Sequence, residues 1–445
     1  MKLKKIITAL ILTGAMLSVT ACARSSVRNE KAAEVEESTA SESEEESEEA
    51  SVKAEDTEPE EKETEEKKDE SSVKQDSADS SSEVEPRSSS EKVALPKSTG
   101  TELKENDFVA EVLEDDTVII TKYSTYDDEC EGIPGEISGH TVVGIGKNAF
   151  SYKEFEDLVI PDTVLVIDDS AFSNTEIKGS LSLSGVQVIE DKAFFAAELP
   201  DEIVIPDNAY VGEQAFGYSE KLGSVTLGQN VTLDDEAFYY SELSDLKVSA
   251  GDVIGEKAFF SCSRLKTVSD SGSSGNVEGS IEKQAFAYCD SMESVEIPVY
   301  ITSIGEEGFY YAKIKDGITF GGKIDIDDKA FFSCECGGTI EIPSGSTLAK
   351  QSFAYSAEYE ELIVGDDVTI EDEAFYYAAD VKKASIGKNV IIGDEAFFSS
   401  ALEELTVGSG SEIGKEAFAY CSELNTKNVD SDVKTRDDSF YYAGN

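Results

Sequence analysis

The chain has 445 residues, a net charge of −55, a single His, seven Cys and no Trp. This length exceeds what one compact core usually organises. The acidic balance excludes nucleic acid as a partner, since a phosphate backbone needs clustered Lys and Arg, and it excludes attraction of protein charge to an anionic membrane. No Cys-x-x-Cys pair occurs, and one His cannot complete a Cys/His zinc site.

Residues 1–22 read as an export address. Lys2, Lys4 and Lys5 precede an apolar stretch, Ile6 to Val19, that is short for a membrane span. It ends in Val19-Thr20-Ala21-Cys22, which resembles the lipobox of bacterial lipoproteins. That resemblance implies cleavage before Cys22 and acylation of its thiol and new amino group. Each buried methylene of the acyl chains would add ~0.8 kcal/mol to membrane anchoring.

Residues 23–100 carry 25 acids and 11 bases and almost no large apolar residue, as in Ser41-Glu42-Ser43-Glu44-Glu45-Glu46. Such a segment buries too little surface to offset its ordering entropy, so it is expected to be a disordered, self-repelling linker. As a coil its ends would lie roughly 50 Å apart, and further with charge repulsion.

Residues 101–143 are read as an N-terminal capping unit and 144–445 as a repeat array. From residue 144 a small residue followed by Phe recurs fourteen times, at Phe150, Phe172, Phe194, Phe216, Phe238, Phe259, Phe286, Phe309, Phe331, Phe353, Phe375, Phe397, Phe418 and Phe440. The interval is 22 residues apart from two of 21, one of 23 and one of 27. In the unit opened by Ala285-Phe286, Met292, Val295 and Ile297 are spaced for an inner face, and Val295-Glu296-Ile297 alternates as a half-buried strand does. Pro298 ends that strand, Ile301 and Ile304 point inward again, and Gly305 is expected to turn the chain. One such coil cannot cover its own Phe, whereas stacked coils share a continuous core. The pattern predicts a solenoid, mainly β with short turns or helical pieces, of about fourteen coils. At ~4.8 Å per strand it would be roughly 65 Å long.

These units resemble the BspA-type leucine-rich repeats of bacterial surface proteins. That family sets Ala-Phe, a Cys three residues on, and Ile-Pro at a strand end. Here Cys262, Cys289, Cys334 and Cys421 fall three residues after a repeat Phe. We read these Cys as small buried hydrophobes. Among possible disulfides the pair Cys262–Cys289 is the least implausible, and Cys130 and Cys336 are left over. Ser269 to Asn276 accounts for the 27-residue interval and is expected to leave the rod as a flexible loop. The last coil is polar at Lys427, Asn428, Asp430, Lys434 and Arg436, and charge there would discourage end-to-end pairing.

The residues after each Phe vary with a period of three coils. They run Phe195-Ala196, Gly217-Tyr218, Tyr239-Tyr240; then Phe260-Ser261, Ala287-Tyr288, Tyr310-Tyr311; then Phe332-Ser333, Ala354-Tyr355, Tyr376-Tyr377; then Phe398-Ser399, Ala419-Tyr420, Tyr441-Tyr442. Two residues before Phe the sequence runs Lys192, Gln214, Glu236; Lys257, Gln284, Glu307; Lys329, Gln351, Glu373; and then loses the pattern with Glu395, Glu416 and Asp438. A duplicated three-coil cassette explains this. Tyr218, Tyr239, Tyr240, Tyr288, Tyr310, Tyr311, Tyr355, Tyr376, Tyr377 and Tyr420 form the candidate binding surface, because Tyr joins an apolar body to a polar tip. The plainer reading of the same residues is an aromatic ladder packed between coils. The outward strand column, from Val159 and Ser182 to Ser385 and Thr406, is small and mixed and announces no ligand.

No nucleophile has a partner base, and His140 suits a turn cap better than catalysis. No phosphate-binding Gly-rich motif follows a strand. The pairs Asp168-Asp169, Asp234-Asp235, Asp327-Asp328 and Asp366-Asp367 offer oxygen ligands to Ca²⁺, but they suit solvated turns better. No other cofactor, and no enzymatic activity, is expected. Residues 101–445 hold 68 acids and 24 bases, which favours basic or neutral partners. The resemblance implies a cell-surface, lipid-anchored adhesion or binding protein whose rod contacts a protein ligand on a host or neighbouring cell. A structural envelope spacer without a ligand is the alternative, and a polysaccharide hydrolase acting through an acidic pair is a more distant one.

Overall fold

The computed structural model describes residues 92–125 and 129–444. The expected export address and residues 23–91 of the expected linker lie outside the described residues, whereas residues 92–100, also expected in the linker, belong to the fold, with Lys92 bonded to Glu190 and Ser98–Gly100 opening the first strand.

Strands β1 (Ser98–Glu105) and β2 (Phe108–Leu113) form an antiparallel hairpin, and β2 also pairs antiparallel with β3 (Val118–Tyr123). β4 (Glu136–Ile137) and β5 (His140–Ile145) make another antiparallel pair, and β5 lies parallel to β3. From β5 onward every pairing between strands is parallel, so the hairpin closes the first coil with strands of its own. His140 ties the unit together, its Nδ1 lying 2.9 Å from the Asp116 carbonyl in the turn between β2 and β3.

Later coils add rungs along three edges. Short two-residue rungs such as Val166–Ile167, Val188–Ile189 and Tyr210–Val211 continue as far as Lys434–Thr435. Longer strands form one six-stranded run, from Glu202–Ile205 to Ile318–Phe320, and one five-stranded run, from Thr339–Ile342 to Thr426–Val429. Pro206, Pro298 and Pro343 end three of these strands, where a residue without an N–H cannot extend the ladder. The third edge is reduced to brief pairs such as Glu154–Phe155 with Glu176–Ile177.

The Phe-bearing segment makes no helical piece. It is a chain of reverse turns that is itself a ladder. Ala193, Phe195 and Ala197 donate to the carbonyls of Glu190, Lys192 and Phe194 within the coil. The intervening N–H groups of Lys192, Phe194 and Ala196 donate to Glu213, Ala215 and Gly217 of the next coil, at 2.9, 2.7 and 2.9 Å. Lys192 (φ 57°) and Ala196 (φ 53°) take the left-handed conformation that the third residue of a type II turn requires. The positions two before and two after Phe repeat this in all fourteen coils without a glycine, and neither ever holds a β-branched residue. Each such residue costs about 1–2 kcal/mol, which the two sets of hydrogen bonds offset.

Thirteen of the fourteen Phe rings are wholly buried, and Phe440 is partly so. They stack coil on coil, with centroids 4.7 Å apart at Phe331–Phe353 and 5.3 Å at Phe150–Phe172, and with planes within 13° of parallel. Met292, Val295, Ile297, Ile301 and Ile304 are all buried, as their spacing predicts. Gly305 opens the reverse turn, its carbonyl accepting the Gly308 N–H at 3.0 Å; a Cβ there would stand 3.0 Å from the Glu282 and Lys283 backbone, and other coils carry Glu190, Asp234 and Glu282 at the same place.

The Cys position three after Phe has a second use besides packing. Cys262, Cys289 and Cys421 donate to the carbonyls of Phe238, Phe259 and Phe397 in preceding coils, at 3.2, 3.2 and 3.1 Å. Burial pushes the Cys262 thiol up to about 12 and Cys421 up to about 11, which keeps them protonated and inert. The pairing Cys262–Cys289 does not form, and both thiols are free. The disulfide is instead Cys334–Cys336, two residues apart and with Cα atoms 5.7 Å apart, because the strand Glu335–Cys336 turns the second sulfur inward beside the first. The expected flexible loop also differs. Its chain lies back on the rod, where Ser271 N donates to the Val248 carbonyl (2.9 Å) and Ala250 N to the Ser273 hydroxyl (2.9 Å). The Tyr300 hydroxyl holds the base of the loop at Asp270, 2.6 Å away.

Asp252 is buried next to this loop and accepts N–H groups from Val231 (3.0 Å) and Ser249 (2.6 Å). Ser346 and Ser411 occupy the same place in later coils and each accept one such N–H at 3.1 Å. Burial pushes the Asp252 carboxyl up to about 8, so the folded protein holds a proton that the unfolded chain releases near pH 4. The stability tied to that proton is complete below pH 4 and is lost as pH rises toward 8. We therefore expect Asp252→Ser to flatten the decline of stability between pH 5 and 8, with the variant gaining up to a few kcal/mol on the parent at pH 8. Urea unfolding at the two pH values measures this, and equal slopes would refute it. Phe286→Ala should cost about 3–5 kcal/mol through the cavity it opens, measured by the same method.

Candidate functional site

The two columns that follow Phe place aromatic rings along the outside of the turns. Within a cassette the first column reads Phe, small, Tyr and the second reads small, Tyr, Tyr. The gaps fall on a diagonal, so the contact crosses from column to column and remains unbroken. Phe195 meets Tyr218 at 5.4 Å, Tyr218 stacks on Tyr240 at 5.6 Å, and Tyr239 stacks on Phe260 at 5.4 Å. Phe260 meets Tyr288, and the sequence of contacts then repeats through Phe332 and Phe398 to Tyr420 and Tyr442.

All ten tyrosines of the candidate surface lie on this stripe, and each touches a neighbouring ring. The two readings of them meet here. They are a ladder between coils, and they also face water. Tyr239, Tyr310 and Tyr376 are half-buried, whereas Tyr218, Tyr240 and Tyr420 are each 45% exposed. Four phenylalanines, Phe195, Phe260, Phe332 and Phe398, and the pair Tyr441–Tyr442 belong to the same surface, although the sequence reading kept only ten tyrosines. Their column positions were the signal that would have found them.

Burial, followed by neighbouring phenols and carboxylates, pushes the hydroxyls of Tyr239, Tyr310 and Tyr376 up to about 12. They stay hydrogen-bond donors at any physiological pH. The column two before Phe runs beside the stripe. Gln214, Gln284 and Gln351 donate their amides to Glu236, Glu307 and Glu373 in the following coils. Glu395 has no such donor before it, and burial and then the charges of Glu416 and Glu373 raise its carboxyl above the usual range.

The remaining candidates do other work. Cys22 lies outside the described residues. Asp168, Asp234 and Asp327 each accept the N–H of the adjacent Asp, and Asp366 accepts Lys388 N of the next coil at 2.7 Å. Among the described residues no group of three or more His, Cys, Asp or Glu side chains is arranged to hold a metal ion. Ion pairs such as Lys178–Glu154 (3.0 Å) and Lys382–Glu360 (2.8 Å) link successive coils at exposed edges, where water and salt screen them.

Several solved structures are similar to this chain. A leucine-rich repeat protein from Bacteroides ovatus is 19% identical, with a TM-score of 0.43, covering 76% of this chain and 92% of its own. A leucine rich cell surface protein from Faecalibacterium prausnitzii is 21% identical, with a TM-score of 0.32, covering 74% and 95%. The pneumococcal vaccine antigen PcpA is 17% identical, with a TM-score of 0.34, covering 77% and 90%. No curated protein matches the chain. The family described as BspA type leucine rich repeat region matches residues 143–266, 273–382 and 368–445, and the chain belongs to that family.

Proposed function

We propose that this protein is an extracytoplasmic binding lipoprotein, anchored through an acylated Cys22, whose rod contacts a protein ligand on a host or neighbouring cell. The observation that carries the reading is the aromatic stripe, which is continuous from Phe195 to Tyr442 and solvent-facing along much of its length. Contiguous exposed apolar surface is uncommon on a soluble protein and marks contact sites, and half-buried Tyr rings are preordered to make them. The charged linker before residue 92 suits a tether that carries the rod away from the lipid surface.

Ser261, Ser333 and Ser399 already occupy the second column in the left-handed conformation, so serine is compatible with the fold there. Tyr240→Ser, Tyr311→Ser and Tyr377→Ser together should lower the affinity for a ligand found on a protein and glycan array by at least tenfold, with a cooperative melting transition retained. An envelope spacer would give an array without saturable ligands, or ligands indifferent to the three substitutions. Separately, Cys22→Ser should abolish incorporation of radiolabelled palmitate in the producing bacterium and shift the protein from the detergent phase to the aqueous phase. Undiminished labelling would remove the anchor from this reading.

A further inference from the structure

The stripe is uniform in its rings but not in the charge beside it. In the first three cassettes the flanking column begins with a base, Lys192, Lys257 or Lys329, and its Glu is bonded by the preceding Gln. From Glu373 onward the column reads Glu373, Glu395, Glu416, Asp438, with neither base nor amide among them. Neighbouring cations answer part of this charge. Lys350 lies 3.1 Å from Glu373 and Lys415 lies 2.7 Å from Glu416. The rings alongside are Tyr376, Tyr377, Phe398, Tyr420, Tyr441 and Tyr442. The carboxylates act on them, since Glu395 is among the groups that raise the Tyr376 hydroxyl, and Asp438 and Glu416 are among those that raise Tyr441.

Resting on the proposed binding role of the stripe, we propose that its C-terminal stretch, from Tyr376 to Tyr442, docks an extended Lys- or Arg-rich segment of a protein partner. Charge complementarity chooses the occupant. Guanidinium and ammonium groups are attracted to the faces of Tyr rings and to carboxylates at once, and few other groups satisfy both. Arg adds a planar surface that stacks on a ring while its N–H groups reach a carboxylate beside it. An acidic segment meets repulsion along the same face, and a neutral glycan, which can stack on the rings and donate hydroxyl hydrogen bonds to the carboxylates, brings no charge to answer the column.

Fluorescein-labelled nona-arginine, nona-glutamate and a neutral hexasaccharide, titrated against the full chain at 0.15 M salt and followed by anisotropy, form the test. Nona-arginine should bind saturably, and the other two should not. Tyr377→Ser, Tyr420→Ser and Tyr442→Ser together leave net charge unchanged and should weaken nona-arginine binding at least tenfold, while Tyr218→Ser with Tyr240→Ser should weaken it less than threefold. Glu395→Lys restores the base of the earlier cassettes and should also weaken binding about tenfold. Melting curves of each variant establish that the fold is kept. Equal nona-arginine affinity in parent and triple serine variant overturns the inference, because attraction would then be charge alone. Saccharide binding lost in the triple variant overturns it in favour of a glycan. A protein ligand that needs the stripe yet is not displaced by nona-arginine overturns this inference and leaves the binding role standing.

Discussion

Each Phe ring in the solenoid stacks against the rings of the neighbouring coils, which complete its shielding from water. No coil supplies its own lid, so burial is a property of the stack, and stability accumulates through neighbour pairs rather than within units. Stacked pairs at about 5 Å add roughly 0.5–1.5 kcal/mol each to the gain from burial. The ring column fixes the vertical spacing, and the three ladders of hydrogen bonds accept it. A coil of different height would break both at once.

That constraint accounts for the local chemistry of the turns. To hold a ring inward while the backbone reverses, the two positions that bracket it by two residues must be left-handed, and they are so in every coil. Their side chains are thereby thrown to the outside. The strain that seats the Phe is thus the same device that lines up Lys, Gln and Glu on one side of it and aromatic rings on the other. The binding surface proposed here is a by-product of the core.

Much of this could be read in the amino-acid sequence. The Phe interval gave the coil number, the alternation of Val295 and Ile297 gave the strand, and the aliphatic spacing gave the inner face. What escaped were interactions between coils that leave no periodic mark. The Cys334–Cys336 bond was missed because partners were sought between coils, and the seating of the loop after Asp270 depends on Tyr300, thirty residues away in sequence but adjacent in space. On the surface, the tyrosines were visible as a period of three, but the choice between packing and exposure was not, since rings in both columns do some of each. The phenylalanines of the stripe were left out because the surface was sought among residues with a polar tip.

The cassette has a consequence for how such a molecule changes over generations. Because the hydrogen bonds of the turn ladder reach only the adjoining coil, and because columns repeat every third one, a crossover between matching points of two gene copies would return a seamless rod. Its length would then alter in steps of about 14 Å. Recombination could lengthen or shorten the rod while the pattern presented along its flank stayed in phase.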